Sequence, residues 1–337
     1  MKIIDLFSGI GGFSLGFKRA GYHFTEHYFS EIDKHAIANY KYNFPNAKYI
    51  GDITTIQPAD IAGADIITFG SPCQDFSLAG RRAGLKGAKS SLIEYAIALI
   101  AHIRPGIFIW ENVKGAFSSN AGADFWAIIQ AFANIGGYTI EWQLLNTKWL
   151  LPQNRERIYL IGHLAGRSIP GVFPIRENDF PATEKTESQL KAPISTTLKE
   201  SGAMKPDDTY IIPMVAATLT GGGHSGGLHS DMTVIQINPS TESNGRQPYQ
   251  QNRVFDVRGI SPALTRHNSN YAISRMRRLT EIECERLQGF PDNWTQYGDY
   301  NGAIKPIAKT QRYKLIGNAV TVDIVELIAK RLKNIQK

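Results

Sequence analysis

The sequence predicts a Rossmann-like α/β domain joined to a smaller, mostly β module. Over residues 1–165, short apolar runs typical of buried strands alternate with amphipathic helical segments. Residues 166–275 are instead rich in Gly, Pro, Ser, Thr and Asn, and polar loops separate their short β-forming runs. We therefore assign residues 1–165 and 305–337 to the first domain and residues 166–304 to the second, with 166–275 as its variable block.

Composition and charge limit the class of protein. The 337 residues are 42% hydrophobic and 20% charged, as is typical of a soluble globular protein, and the net charge of +7 permits a polyanionic partner without requiring one. Two cysteines, Cys73 and Cys284, are too few for a disulfide scaffold and suit a reducing compartment. The sequence has no bilayer-spanning run, signal-peptide pattern or Cys/His zinc cluster, so we expect a cytoplasmic protein without a metal site.

A glycine-rich turn joins the first predicted strand, Lys2–Phe7, to a helix over Phe13–Ala20. Glycines let the turn Ser8–Gly12 approach a ligand, and the helix N-terminus offers free N–H groups. Glu31 follows the second predicted strand, where nucleotide-binding α/β domains hold ribose hydroxyls. The spacing G-x-G-G differs from the dinucleotide pattern and favours another adenosine-bearing cofactor. A strand–turn–helix unit without a ligand is the alternative.

A lone cysteine follows the predicted buried strand Ile66–Phe69, in the segment Gly70–Ser77. Ligands bind at the carboxyl ends of strands in open α/β sheets, so Cys73 is a candidate nucleophile at that edge. Pro72 fixes its own φ and restricts the residue before it, which makes the segment stiff. A buried structural cysteine is the alternative.

Glu111 ends the next predicted strand, Ile107–Trp110, and is therefore expected at the same edge as Cys73. A carboxyl group there can act as a proton donor, although a surface or helix-capping glutamate has the same local pattern. Arg155 and Arg157 flank the start of another strand, where they either bind a polar base or phosphate or are ordinary surface charges.

Other candidate contacts depend on less specific patterns. Asp52 follows a short strand, where it could accept a hydrogen bond from an adenine amino group or cap a helix. Four cations in the Gly-rich segment 79–89 could meet phosphates or simply be solvated: Arg81, Arg82, Lys86 and Lys89. Arginines of the variable block are candidates for contacts with base edges: Arg246, Arg253 and Arg266.

Two helices are predicted near the C-terminus. Thr280 and Glu283 have the spacing of a capping box, and Cys284 in the same helix is expected in the core. The segment around Asn318 is predicted to open a second helix that runs through Lys333. Asn318 could hold the polar end of a cofactor or simply cap the helix.

Taken in order, these segments resemble the C5-cytosine DNA methyltransferases over nearly the whole chain. The similar segments are the cofactor loop Asp5–Gly12, the nucleophile segment Pro72–Gln74, the acid Glu111–Val113, the arginine motif Gln153–Arg157, and the last two motifs at Arg286–Pro291 and Gly317–Asn318. The variable block lies where the family keeps its target recognition domain. One departure is Gly87–Leu92, where the family usually has an acidic residue, arginine and glycine before the leucine; it bears on cofactor affinity or loop closure.

The resemblance implies an S-adenosylmethionine-dependent methyltransferase that acts on double-stranded DNA. It implies that Cys73 attacks C6 of a flipped-out cytosine, Glu111 acts at N3, Arg157 holds the O2 side, and Arg155 or Arg157 favours the thiolate. The positions that match the family's cofactor site are Asp5, Phe7, Gly9, Gly11, Glu31, Ile32, Asp52, Ile53, Pro72, Leu92 and Asn318.

The resemblance further implies a monomer of bacterial or phage origin that is associated with the nucleoid. Two other classes stay open: an RNA cytosine methyltransferase of the same family, against which the long recognition block argues, and a catalytically silent DNA-binding protein. The sequence leaves open the DNA site itself. It also leaves open whether a cognate restriction endonuclease shares that site or the protein acts alone.

Overall fold

The structure is a computed structural model that describes residues 1–71, 92–117, 123–177, 272–273 and 277–335. Several of the predicted site residues lie outside these ranges: Pro72, Cys73, Arg81, Arg82, Lys86, Lys89, Arg246, Arg253 and Arg266. None of the helices in the described ranges is both long enough and apolar enough to cross a membrane.

A sheet of seven strands forms the centre of the described structure. Its strands are β1 (Lys2–Leu6), β2 (Glu26–Ser30), β3 (Lys48–Tyr49), β4 (Ile66–Gly70), β5 (Ile107–Val113), β6 (Tyr138–Asn146) and β7 (Glu156–Leu164). Their order is β3-β2-β1-β4-β5-β7-β6, with β7 antiparallel to both neighbours and every other pair parallel. This topology confirms the predicted Rossmann-like α/β fold.

Helices cover both faces of the sheet. They are α1 (Gly12–Arg19), α2 (Lys34–Asn43), α3 (Leu92–Ile103), α4 (Ala123–Ala133), α5 (Glu281–Leu287), α6 (Lys309–Asn318) and α7 (Val322–Ile335). Two short hairpins pair β8 (Ala272–Ile273) with β9 (Arg277–Arg278) and β10 (Tyr297–Tyr300) with β11 (Ala303–Pro306).

Two hydrophobic clusters fill the space between the sheet and its helices. On one face, Phe69, Phe108 and Trp110 pack with apolar residues of α3 and α4. On the other face, Ile3 and Ile109 pack with apolar residues of α1 and α7. Successive strand residues point to opposite faces, so neighbours such as Phe108 and Ile109 belong to different clusters. The continuous apolar runs in the sequence are therefore those of strands buried on both faces.

The C-terminal region differs from its prediction, because Asn318 ends one helix instead of opening another. Ala319, which follows α6, is extended (φ −73°, ψ 151°), and α7 begins at Val322. The last carbonyls of a helix need hydrogen-bond donors from elsewhere. Arg155 supplies them: its guanidinium donates to the Ala319 carbonyl at 2.9 Å and to the Gly317 carbonyl at 3.5 Å. The local sequence gives no sign of that distant partner.

Helix α5 has the predicted capping box and core cysteine. The Thr280 hydroxyl accepts from the Glu283 N–H at 3.2 Å, and the Glu283 carboxylate accepts from the Thr280 N–H at 2.7 Å. Cys284 is fully buried in a cluster with Ile10 and Leu315.

The first residues of the variable block and the chain after it both pack on the first domain. At the start of the block, Val172 and Ile175 are buried among residues of α1 and α7. After it, the Trp294 indole donates to the Ile10 carbonyl at 2.9 Å, and Asn39 of α2 donates to the Trp294 carbonyl at 2.8 Å. The domain division at residues 166 and 304 stays a prediction, since most of the block lies outside the described residues.

Candidate active site

The carboxyl ends of β4 and β5 place Glu111 beside the start of the predicted nucleophile segment. Gly70, the last residue of β4, is in register with Glu111 on β5. A Cβ atom at Gly70 would lie 3.1 Å from Glu111 Oε2. That distance is tighter than ordinary van der Waals contact, so glycine lets the carboxylate sit directly against the strand that leads into Cys73.

Glu111 forms an ion pair with Arg157. Strand β7 runs antiparallel to β5, and Arg157 stands opposite Val113. Arg157 Nε is 3.1 Å from Glu111 Oε1, and the two side chains are only 11% and 13% exposed. Arg157 Nη1 also donates to the Glu156 carbonyl at 2.8 Å, which fixes the guanidinium plane. A nearly buried, charge-assisted pair of this kind holds both groups in one orientation.

Arg155 does not share that contact. It is 4% exposed, and its guanidinium reaches the junction between α6 and α7, as described above. Its backbone is fixed as well, because its N–H donates to the Asn146 side chain at 3.2 Å and its carbonyl accepts from the Thr147 N–H at 3.0 Å. The structure thus brings Arg157 to Glu111 and uses Arg155 to hold the C-terminal helices.

Ser71, immediately before the predicted nucleophile segment, is held by two residues of β5. The Trp110 indole N–H donates to the Ser71 hydroxyl at 3.0 Å. The Asn112 amide donates to the Ser71 carbonyl at 3.1 Å and to its hydroxyl at 3.3 Å. The motif interpretation of the sequence missed Trp110 and Ser71. The signal was available in principle, since a tryptophan in a buried strand must find an acceptor for its indole N–H.

The glycine-rich turn closes on Glu31. Gly9 and Gly11 have positive φ values of 53° and 84°, a conformation that favours glycine. The Glu31 carboxylate accepts from the Gly9 N–H at 2.8 Å and from the Ile32 N–H at 2.8 Å. Beside it, Ile32 is a large apolar residue that is 71% exposed. An acidic group next to an exposed apolar side chain matches the ribose hydroxyls and adenine ring of a nucleoside.

Asp5 lies beneath this turn and has no exposed surface. It accepts hydrogen bonds from Ser14, Tyr40 and Thr68, each at 3.0 Å. Burial raises the pKa of Asp5 to about 7, against the lowering effect of those hydrogen bonds. Asp5 therefore supports the turn from below, and it can affect a bound cofactor only through the residues it holds.

The remaining predicted cofactor residues have varied surroundings. Phe7 is half-buried, with a φ of 50°. Asp52 caps the short 3-10 turn that follows it, accepting from the Thr54 N–H at 2.9 Å, as the capping interpretation expected. Ile53 is 4% exposed in the core. Leu92 is the half-buried first residue of α3, and Asn318 is the exposed last residue of α6.

One tertiary contact near the turn could not have been found by local patterns. Lys314 of α6 forms an ion pair with Asp33, whose carboxylate also caps α2 through the His35 N–H at 2.8 Å. The pair joins the helix that ends at Asn318 to the end of β2 beside Glu31. Among the described residues, no group of three or more His, Cys, Asp or Glu side chains is placed to hold a metal ion.

Comparison with known proteins agrees with this geometry. The fold is that of a solved methyltransferase, S. pombe Dnmt2, with a TM-score of 0.62 and 18% identity over 99% of each chain. The model of C-5 cytosine-specific DNA methylases matches residues 1–334, and the chain belongs to this family. The predicted family is thereby confirmed.

Curated relatives match over almost the full length. The type II methyltransferase M.Bsp6I of Bacillus sp. (strain RFL6) is 30% identical, with 98% of each chain covered. The type II methyltransferase M.NgoBI of Neisseria gonorrhoeae is 31% identical, covering 98% of this chain and 92% of the relative.

Proposed function

We propose that this protein transfers a methyl group from S-adenosylmethionine to C5 of a cytosine in a short, specific site of duplex DNA. The observation that carries the proposal is the Glu111–Arg157 pair, 3.1 Å apart, beside the end of β4. Cys73 follows that strand end by three residues in the sequence, so a nucleophile, an acid and a cation belong to one sheet edge. Family membership and the names of the type II relatives support the substrate class.

The residues divide the chemistry as follows. The Cys73 thiolate adds to C6 of the cytosine while Glu111 delivers a proton to N3, which takes up the electron pair displaced through the ring. The product is a neutral enamine in which C5 is nucleophilic. Arg157 orients the Glu111 carboxyl and stabilises it as a carboxylate after the proton has left. S-adenosylmethionine, when bound, supplies the electrophilic methyl group that C5 takes. A base then removes the C5 proton, whose bonding pair forms the C5=C6 double bond and expels the Cys73 thiolate. N3 returns its proton to Glu111, and the aromatic ring is restored.

The glycine-rich turn and the end of β2 fit the proposed cofactor. Glu31 would accept the ribose hydroxyls, and the exposed face of Ile32 would cover the adenine. Neither group is part of the hydrophobic core, and both lie at the carboxyl edge that also carries Glu111. We assign the positions Gly9 and Gly11 to the backbone that approaches the cofactor's polar end.

Sequence choice is assigned to the variable block, and phosphate contacts that are independent of sequence to the basic segment 79–89. The target base must leave the duplex stack, at a cost of a few kcal/mol, before Cys73 can reach C6. Phosphate contacts from Arg81, Arg82, Lys86 and Lys89 would offset that cost, and arginines of the block would contact base edges. We further propose that the protein acts as a cytoplasmic monomer, with or without a cognate endonuclease.

Radiolabel transfer from S-adenosylmethionine tests this proposal. The full chain should label duplex DNA and not tRNA, and Cys73→Ser should label neither. Duplex DNA that contains 5-fluorocytosine should trap the unmodified protein covalently, because fluorine blocks loss of the C5 substituent. Labelling of tRNA alone would favour the RNA methyltransferase, whereas DNA binding without transfer would favour the silent DNA-binding protein.

A further inference from the structure

The hydroxyl of Ser71 is an acceptor for a buried tryptophan. Trp110 has no exposed surface, and Ser71 is 5% exposed. The indole ring lies in the apolar cluster between the sheet and α4, where its centroid is 5.9 Å from that of Phe132. A ring packed in this way cannot shift without loss of its contacts, so its N–H group is a fixed reference point.

Trp110 and Asn112 act on Ser71 from the same side of β5. Residues two apart on a strand point to one face, and Glu111 between them points to the other. The side chain of Ser71 is therefore bonded by Trp110 at 3.0 Å, and its carbonyl by Asn112 at 3.1 Å. That carbonyl belongs to the peptide bond with Pro72, where Ser71 is already conformationally restricted.

We propose that Trp110 is a positioning residue for methyl transfer: its indole N–H fixes Ser71, and thereby the start of the segment that carries Cys73, relative to Glu111. The inference rests on the proposed role of Cys73 as the nucleophile. Reacting groups must be held in a near-attack arrangement, and a displacement of about 1 Å costs on the order of 100-fold in rate. A hydrogen bond between two buried groups supplies that rigidity at the base of the segment.

Trp110→Phe removes the N–H group and keeps most of the ring. We expect kcat to fall on the order of 10-fold to 100-fold, with the KM values for DNA and cofactor unchanged. Ser71→Ala should slow the reaction at least as much, because it removes the Trp110 hydrogen bond and also the longer Asn112 contact at 3.3 Å. The double variant should be no slower than Ser71→Ala alone. Ser71→Thr keeps the hydroxyl and should retain activity. Trp126→Phe, at a tryptophan of α4 that is 61% exposed, is the matched control and should leave kcat unchanged.

A second measurement separates positioning from loss of folded protein. The rate of covalent trapping on 5-fluorocytosine DNA should fall with kcat in Trp110→Phe and Ser71→Ala, while the melting temperature and cofactor affinity change little. Wild-type kcat in both variants, or strictly additive losses in the double variant, would overturn the inference. If Cys73→Ser itself remains active, the proposed function fails; if Cys73→Ser is inactive but Trp110→Phe is fully active, only this inference fails.

Discussion

Arg157 Nε lies 3.1 Å from Glu111 Oε1, across the antiparallel pairing of β5 and β7. This contact places a cation and an acid at the strand edge from which the segment with Cys73 begins. Arg155, only two residues before Arg157, instead donates to the carbonyl groups of Gly317 and Ala319 at the end of α6. The two arginines of one motif therefore have different tasks, one at the candidate site and one in the architecture around it.

Replacement of Glu111 should affect chemistry more than binding. Glu111→Gln keeps the size of the side chain but cannot deliver a proton to N3, so we expect kcat to fall by roughly 10²- to 10⁴-fold. Calorimetry should show unchanged cofactor affinity. Glu156→Gln is the control: Glu156 pairs with Lys114 at 2.8 Å on the surface, and its loss should leave kcat within about twofold. Equal losses in both variants would contradict the assignment of Glu111.

Replacement of Glu31 should weaken binding of the cofactor. Glu31→Ala removes an acceptor for the ribose and also the acceptor of the Gly9 N–H at 2.8 Å. We expect S-adenosylmethionine affinity to fall by about 1.5–3 kcal/mol, as for hydrogen bonds to a charged group. Isothermal titration calorimetry measures the change directly. Glu26→Ala, at the opposite end of β2, is the control and should bind S-adenosylmethionine with unchanged affinity. An unchanged affinity in Glu31→Ala would show that the ribose contact lies elsewhere.

Asp5 and His27 should have opposing effects on how the free energy of unfolding depends on pH. Burial raises the pKa of Asp5 from 3.8 to about 7, so its contribution to the free energy of unfolding is lost as pH rises through that range. Burial, together with Lys18, lowers the pKa of His27 from 6.5 to about 3, so its contribution is lost as pH falls through that range. The two groups share Ser14 and Tyr40 as hydrogen-bond partners. Their effects nearly cancel between about pH 4 and pH 6.5.

Replacement of either residue should therefore reveal the pH dependence of stability that the other one causes. Relative to the unmodified chain, His27→Gln should lose stability with rising pH, at up to about 1.4 kcal/mol per pH unit, and Asp5→Asn should gain it. Urea denaturation at several pH values from 4.5 to 6.5 gives the two slopes. Slopes of the same sign in both variants would show that the pair does not titrate in this way.

The position of the first residues of the variable block should depend on Glu141. Its carboxylate accepts from the N–H groups of Gly171, Val172 and Phe173 at 3.0 to 3.2 Å and from His163 at 2.8 Å. Burial opposes ionisation, yet these hydrogen bonds together hold the pKa of Glu141 below its usual value. The contact should therefore persist in mildly acidic solution.

Glu141→Ala should release that segment. We expect faster amide hydrogen exchange at residues 171–173 and a loss of about 2 kcal/mol in the free energy of unfolding. Glu326→Ala is the control, because its partner Lys330 is more than half exposed and the pair contributes little. Exchange that stays as slow in Glu141→Ala as in the control would remove Glu141 from this role.

Exchange of the variable block should move the methylated site without changing the chemistry. Residues up to 175 and from 279 pack on the first domain, so a graft of residues 178–271 from a relative leaves those contacts intact. A flipped cytosine looks the same in any sequence context, whereas neighbouring bases differ only in their groove edges. Bisulfite maps of the hybrid should show the relative's site. An active hybrid that keeps the original site would place specificity outside the block.

Local patterns in the sequence were sufficient for the elements themselves. Apolar runs predicted the strands at Ile66–Phe69 and Ile107–Trp110, which the structure has as β4 and β5, and the Thr280–Glu283 spacing predicted the capping box of α5. These features depend only on interactions between residues a few positions apart, so a short stretch of sequence is enough to predict them. The order of the motifs likewise indicated the family, because each motif is a short run of residues.

Only the tertiary structure decided which side chains meet. The pairing of β5 with β7 brings Arg157 and not Arg155 to Glu111, and the buried ring of Trp110 finds its acceptor at Ser71, just after the end of β4. Asn318 ends a helix where Arg155, distant in the chain, donates to the carbonyls of Gly317 and Ala319 on either side of it. Strand register and helix packing are collective outcomes of burying both faces of the sheet, so no local pattern encodes these contacts.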